Sequence, residues 1–136
     1  RSMSPRVDLC ARSLDAWAMK GHPNAVAIHP YFRIHDGQHE EVAARLRAFV
    51  DAARSEPKCI FYGFTRNGDE LFCQEAYEDA EGVLAHLDNV GKQLQELLTL
   101  ADMLRLEVHG PAAQLAKLRG PLATMNCSYF EWQCGL

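Results

Sequence analysis

Glu75, Tyr77 and His86 are the residues of this chain whose types and spacing best suit proton chemistry. Glu75 and Tyr77 stand two apart in a stretch that alternates like a β-strand, so they share a face, and His86 follows on a stretch with helical periodicity. A neutral imidazole accepts a proton from a phenol or hydroquinone, while a tyrosine hydroxyl stabilises the oxyanion that results. His86 and Tyr77 are therefore the candidate catalytic pair, with Glu75, Tyr62, His29 and Tyr31 as candidate substrate-binding residues. Each also has a plainer reading. His86 can be a half-buried histidine bonded to a backbone carbonyl, Tyr77 a core aromatic with its hydroxyl at the rim, and Glu75 one side of a cross-hairpin pair.

Other residue clusters point to no second chemistry. His35 and His39 flank a helix start and could offer nitrogens to a metal, but no carboxylate or cysteine completes a ligand set. The five cysteines, Cys10, Cys59, Cys73, Cys127 and Cys134, form an odd number without CxxC or Cys/His spacing, which reads as buried free thiols. Nucleophile-elbow, phosphate-loop and dinucleotide motifs are missing from the sequence, so no cofactor and no metal are expected.

The elements that must position these residues follow from periodicity. Residues 4–20 read as a short helix and 25–34 as a strand, with Val26, Ile28, Phe32 and Ile34 on one face and Ala27, His29, Tyr31 and Arg33 on the other. Pro30 lacks an N–H and implies a bulge nearby. Residues 38–55 form an amphipathic helix. Strands over 59–66 and 70–77 join through Asn67-Gly68 as a type I′ hairpin, which pairs Tyr62 with Cys73. Asp79 caps one long helix from Ala80 to Ala101, with His86 one step off its apolar stripe. Residues 103–109 alternate as a fourth strand, 112–118 form a short helix, and 129–133 form a fifth strand or an extended tail on a sheet edge.

Strand, helix, hairpin, helix, strand is the split βαβ plan of a ferredoxin-like α+β fold, with both helices on one sheet face. The run Glu75-Ala76-Tyr77, followed nine positions later by His86, resembles the antibiotic-biosynthesis-monooxygenase-like family of dimeric α/β barrels, in which the third strand ends in Glu, one residue, then Trp or Tyr, and the second helix carries a His. The resemblance spans about residues 25–110 and implies a barrel domain there, with an N-terminal helical extension over 1–24 and a C-terminal extension over 111–136. It implies a homodimer closed through the uncovered sheet face, on which His29, Tyr31, Arg105 and Glu107 fall. It further implies a cofactor-independent monooxygenase acting on a small aromatic, quinol or polyketide-like molecule. The alternative is a non-catalytic barrel that binds a small apolar ligand or serves a stress response. Heme-degrading relatives use Asn, Trp and His together; here the first strand lacks an obvious Asn and Tyr77 stands where Trp would be, which leaves a metal- or heme-binding relative as the third and least favoured reading.

Composition bounds the partners. With 136 residues and 48% hydrophobic content the chain makes about one domain. The 14 Lys+Arg against 18 Asp+Glu give a formal charge of −4 with no basic stripe, which argues against nucleic acid. No apolar run reaches membrane length and no secretion-signal pattern appears, so a cytoplasmic protein without a membrane partner is expected. Arg1-Ser2 before Met3 reads as an appended tag.

Overall fold

The computed structural model describes residues 21–136. The helix expected over residues 4–20, and Cys10 with it, lie outside the described residues. The described elements are β1 (Val26–Ile34), α1 (His39–Ala53), β2 (Cys59–Asn67), β3 (Glu70–Tyr77), α2 (Ala80–Asn89), α3 (Gly91–Leu97), β4 (Ala101–Gly110), α4 (Ala112–Arg119), a 3-10 turn at Ala123–Met125, and β5 (Cys127–Glu131). One sheet holds all five strands in the order β2-β3-β1-β4-β5. β1 runs antiparallel to β3 and β4, and β5 joins β4 in parallel after the α4 crossover. This is the ferredoxin-like α+β plan with one helix and one strand added. The final strand comes earlier than the alternation at 129–133 suggests, and pairs Val108 with Tyr129.

Alternation sorts the sheet faces. Val26, Ile28, Pro30, Phe32 and Ile34 are buried beneath the helices, while His29 and Tyr31 point to the other side. The irregularity expected from Pro30 falls between Tyr31 and Phe32 in the β1–β4 register. Beneath the helices lie two apolar clusters, one around Val26, Tyr77, Val83 and Leu118, the other around Phe32, Val42, Phe49 and Leu97.

The long helix expected over 80–101 is two helices. Val90 leaves helical geometry at φ −103°, ψ 11°, directly before Gly91, a weak helix former. The Val90 N–H still donates to the His86 carbonyl at 2.9 Å and the Leu94 N–H to the Val90 carbonyl at 2.8 Å, so the break is a kink and not a separation. Asp79 caps α2 as expected, accepting from the Gly82 N–H at 2.9 Å. A Cβ on Gly82 would stand 3.0 Å from both the Lys58 and Tyr77 Cβ atoms, so this glycine sets how closely α2 rests on β3.

The hairpin register also differs from the sequence expectation. Asn67 pairs with Glu70 and Tyr62 with Glu75, so the loop is Gly68-Asp69 instead of Asn67-Gly68. Gly68 has φ +60° and Asp69 does not share a positive φ, which matches a type II′ turn with glycine first. The shift of partner is two residues, so every side chain keeps its face. Gly68→Val should cost on the order of 1 kcal/mol or more through backbone strain alone, since open space surrounds the position. Thermal unfolding checks this: the variant melts several degrees below wild type, and the exposed control Gln95→Ala does not.

Candidate functional site

β3 turns Leu71, Cys73, Glu75 and Tyr77 toward the helices, and all four are buried. β2 brings Tyr62 opposite Glu75. From above, α2 contributes His86, which lies on the buried stripe with Val83 and Val90 and not beside it, at 2% exposure. The imidazole sits between two tyrosine rings, its centroid 4.9 Å from Tyr62 and 5.0 Å from Tyr77. Thus the structure brings together four of the residues singled out in the sequence: Tyr62, Glu75, Tyr77 and His86.

Polar atoms in this cluster form a line. The Tyr77 hydroxyl donates to Glu75 Oε1 at 2.5 Å, and His86 Nε2 lies 3.4 Å from the same oxygen. On its far side, His86 Nδ1 meets both carboxylate oxygens of Glu56, at 3.0 and 2.9 Å. Asn89 Nδ2 then donates to Glu56 Oε2 at 2.7 Å. Glu56 and Asn89 were not visible as site residues in the sequence. Glu56 lies in the α1–β2 connection, 30 positions from His86, with no periodic pattern to mark it.

Glu75, His86 and Tyr62 border a narrow crevice between sheet and helices with a free volume of about 30 Å³, whereas Tyr77, Glu56 and Asn89 are not among its lining residues. Beyond Glu75, His86, Tyr62 and Cys73 its walls are apolar, with Phe32, Phe49, Leu94, Leu97 and Met103 at one side and Ile28, Leu106 and Met125 at another. It is one polar cluster in an apolar slot, the usual composition of a small-molecule site.

Burial dominates the electrostatics. Glu75, 3% exposed, has its carboxyl pushed up to about 7, first by desolvation and further by the nearby Glu56 charge, against hydrogen bonds from Tyr77 and Cys73. Desolvation lowers the pKa of His86, with the Glu56 hydrogen bond and charge opposing it. Burial also pushes the hydroxyls of Tyr62 and Tyr77 and the Cys73 thiol far up, so none of them ionises near neutrality. Cys59 rises to about 11 for the same reason. The cluster therefore presents a carboxyl that keeps its proton up to neutral pH beside an imidazole that lacks one. That is an acid and a base within reach of each other.

His29 and Tyr31 are elsewhere. Strand alternation puts them on the opposite sheet face, so they do not line the crevice and cannot bind a molecule held under His86. There His29 stacks on Phe72 at 5.4 Å and meets His109 at 5.1 Å, Tyr31 packs on Phe72 at 4.8 Å, and Arg105 lies over the Tyr31 ring. Glu107 pairs with Arg105 and His109 on the same face. His35 and His39 each hold a separate carboxylate, Asp102 at 2.9 Å and Asp69 at 2.8 Å. Among the described residues no three His, Cys, Asp or Glu side chains converge as a metal would require.

A family model described as antibiotic biosynthesis monooxygenase matches residues 25–91. The structure of MupZ from Pseudomonas fluorescens is 40% identical, with 83% of this chain and 93% of that one covered at a TM-score of 0.81. Rv0793 from Mycobacterium tuberculosis is 21% identical over 65% of this chain and 95% of that one, with a TM-score of 0.58. A variant of SnoaB, a cofactor-independent oxygenase from Streptomyces nogalater, is 12% identical over 62% and 90%, with a TM-score of 0.56. None of the curated proteins matches the chain.

The raised Glu75 carboxyl carries a stability signature. In the unfolded chain it titrates near the ordinary 4.5, in the folded protein near 7. Between those values the folded state binds the extra proton, so its stabilising effect is full below about 4.5 and lost as pH rises through 7. Glu75→Gln removes the titration and keeps the shape. Relative to that variant, wild type should lose on the order of 3 kcal/mol between pH 4.5 and pH 8. Denaturant melts of both proteins across this range check the slope.

Proposed function

The chain belongs to the antibiotic biosynthesis monooxygenase family, and from that premise we propose a cofactor-independent oxygenase acting on a small, electron-rich aromatic, quinol or polyketide-like molecule. The observation that carries this reading is the buried Tyr77–Glu75–His86 line at the edge of an apolar crevice. In the reaction, His86 Nε2 removes a proton from the substrate and the protonated Glu75 carboxyl, held in place by the Tyr77 hydroxyl, donates to the oxyanion left behind. Dioxygen adds to the carbon that lost the proton and the resulting peroxide takes that proton back from His86; removal of the second hydrogen on the same carbon then breaks the O–O bond, leaving a carbonyl in the product and hydroxide that takes this proton to leave as water. The anion itself is the reductant, so no metal or flavin is needed. The same fold serves a cofactor-independent oxygenase in SnoaB.

The apolar walls also matter to the chemistry. Water excluded from the crevice cannot reprotonate the anion before oxygen reaches it, and low polarity strengthens each hydrogen bond to the developing charge. Because the crevice is narrow, a ring-sized ligand enters only when the helices part from the sheet, and the kink at Val90, whose side chain lines the slot, is the natural place for that opening.

One observation favours a second reading. Deprotonation followed by oxygen attack uses a base and an oxyanion donor, whereas the Glu75 carboxyl holds its proton close to neutral pH and stands 3.4 Å beside the base. That pairing equally suits a redox-neutral reaction in which one group protonates an oxygen of the ligand while the other withdraws a proton.

Self-association belongs to the proposal as well. The sheet face opposite the helices carries the aromatic set of His29, Tyr31, Phe72, His109 and Phe130, with Phe61 42% and Phe130 44% exposed. Such a face suits burial against a second copy. Light scattering at micromolar concentration should report a dimer, weakened by Tyr31→Asp. A monomeric wild type removes the barrel.

The activity is tested by screening quinols and aromatic polyketides for oxygen uptake and, separately, for turnover under argon. Oxygen uptake by wild type that falls on the order of a hundredfold in His86→Ala and about tenfold or more in Tyr77→Phe supports the oxygenase. Turnover that persists under argon and is lost in Glu75→Gln supports the redox-neutral reading. Tight binding without turnover of either kind makes the protein a binding module.

A further inference from the structure

We infer that Glu56 is a positioning residue for His86, fixing which imidazole nitrogen carries the hydrogen and stabilising the imidazolium that forms when the other nitrogen takes a proton. The inference rests on the proton-abstraction reading above and adds to it a residue outside the crevice. Among the residues that border the slot, Glu56 does not appear. It acts from behind the ring.

The geometry is that of a carboxylate–imidazole dyad. Both Glu56 oxygens stand within 3.0 Å of His86 Nδ1, so that nitrogen must carry a hydrogen: a carboxylate accepts and cannot donate. The neutral ring is then left with its lone pair on Nε2, the nitrogen that faces Glu75 at 3.4 Å. A base needs its lone pair on the substrate side, and the carboxylate behind the ring is what puts it there.

Glu56 is itself held rigidly, although it belongs to a connection and not to a helix or strand. Its N–H donates to the Ala53 carbonyl at 3.1 Å, and its carbonyl accepts from the Cys59 N–H at 3.3 Å. Asn89 clamps the side chain by donating to Oε2 at 2.7 Å while also donating to the Ala52 carbonyl at 2.9 Å. Asn89 sits three positions after His86 on α2. One helix thus carries both the imidazole and the clamp on its partner, so the two move together if α2 shifts.

A stabilising role alone does not account for the arrangement. The Glu56 side chain is only 9% exposed and that of His86 2%, and replacing such a buried polar pair by apolar residues of equal size is commonly neutral or stabilising. The groups facing His86 come from three elements: Glu56 from the connection, Tyr62 from β2, and Glu75 and Tyr77 from β3. Of these, only Glu56 touches Nδ1. A proton taken at Nε2 creates a cation in a slot with apolar walls, and Glu56 is the carboxylate in direct contact with it.

The test reads the imidazole directly, then the reaction. In 15N-labelled wild type, the His86 nitrogens should show the neutral tautomer with hydrogen on Nδ1 and a bare Nε2. Glu56→Gln keeps an acceptor but removes the charge, so His86 should titrate at lower pH than in wild type. Glu56→Ala should lose the tautomer preference. With a turned-over substrate, Glu56→Gln should lower kcat on the order of a hundredfold with little change in KM, and should move the acid limb of the pH profile downward. A wild-type ring with hydrogen on Nε2 overturns the inference, and that measurement needs no variant to fold. So does an unchanged His86 titration in Glu56→Gln, or an unchanged rate. If wild type turns over no compound, the functional reading fails by itself and the tautomer and titration still decide the role of Glu56.

Discussion

The arrangement depends on one constraint: a carboxyl group, Glu75, is buried in the layer between sheet and helices. Ionising it there without a cation costs several kcal/mol, so the protein keeps it protonated up to about pH 7. A protonated carboxyl donates as well as accepts, and this fixes what can stand around it. The Tyr77 hydroxyl supplies a donor to one oxygen, and the imidazole of His86 supplies the nearby basic nitrogen. Remove the burial and Glu75 becomes an ordinary surface carboxylate, ionised at neutral pH.

Keeping that layer dry while admitting polar groups requires close packing at the ends of the elements. Asp79 accepts from the Gly82 N–H and from Lys58 Nζ at 2.7 Å, and Gln114 from α4 accepts from the Ala80 N–H at 2.9 Å. These bonds satisfy the first turn of α2 where it is buried. Gly82, lacking a Cβ, lets that turn lie against Tyr77. His86 is one turn further along, so its height above Glu75 follows from how α2 begins. The added α4 thus helps position the site although none of its side chains enters the crevice.

What was legible in the sequence depended on parity. Alternation assigned the faces of β1 correctly because a strand has period two, and it put Glu75 and Tyr77 on one face of β3; that this face lies under the helices, with Tyr62 opposite Glu75, is seen only in the structure. The loop at Gly68-Asp69 was misplaced by one position, since Asn-Gly and Gly-Asp are both good turn pairs; the resulting two-residue change of partner left the faces intact. The break at Val90 escaped because the apolar spacing runs through it. His86 looked peripheral while Leu84 and Leu87 counted toward the stripe, yet both are only half-buried and Val83, His86 and Val90 form the buried line. Glu56 was illegible in principle: it is a single acidic residue in a connection, and only tertiary packing brings it to Nδ1. His29 and Tyr31 were grouped with the site by residue type, against their own face assignment.

That last separation has a physical consequence for how the molecule divides its work. The sheet is one backbone thick, and its two faces carry different aromatic and titratable sets: Tyr62, Glu75 and Tyr77 toward the helices, and His29, Tyr31, Glu107 and His109 away from them. Both His29 and His109 are held below the usual histidine range, chiefly by burial, with His109 opposing the charge on His29 and Arg105 opposing that on His109. Yet β3 alternates Glu75 with Gln74 and Ala76, so nothing ionisable on that strand couples the two sets through neighbouring side chains. Strand alternation therefore keeps the Glu75 and Tyr77 side chains of β3 apart from the His29 and Tyr31 side chains of β1, with the kinked α2–α3 pair packed on the former side.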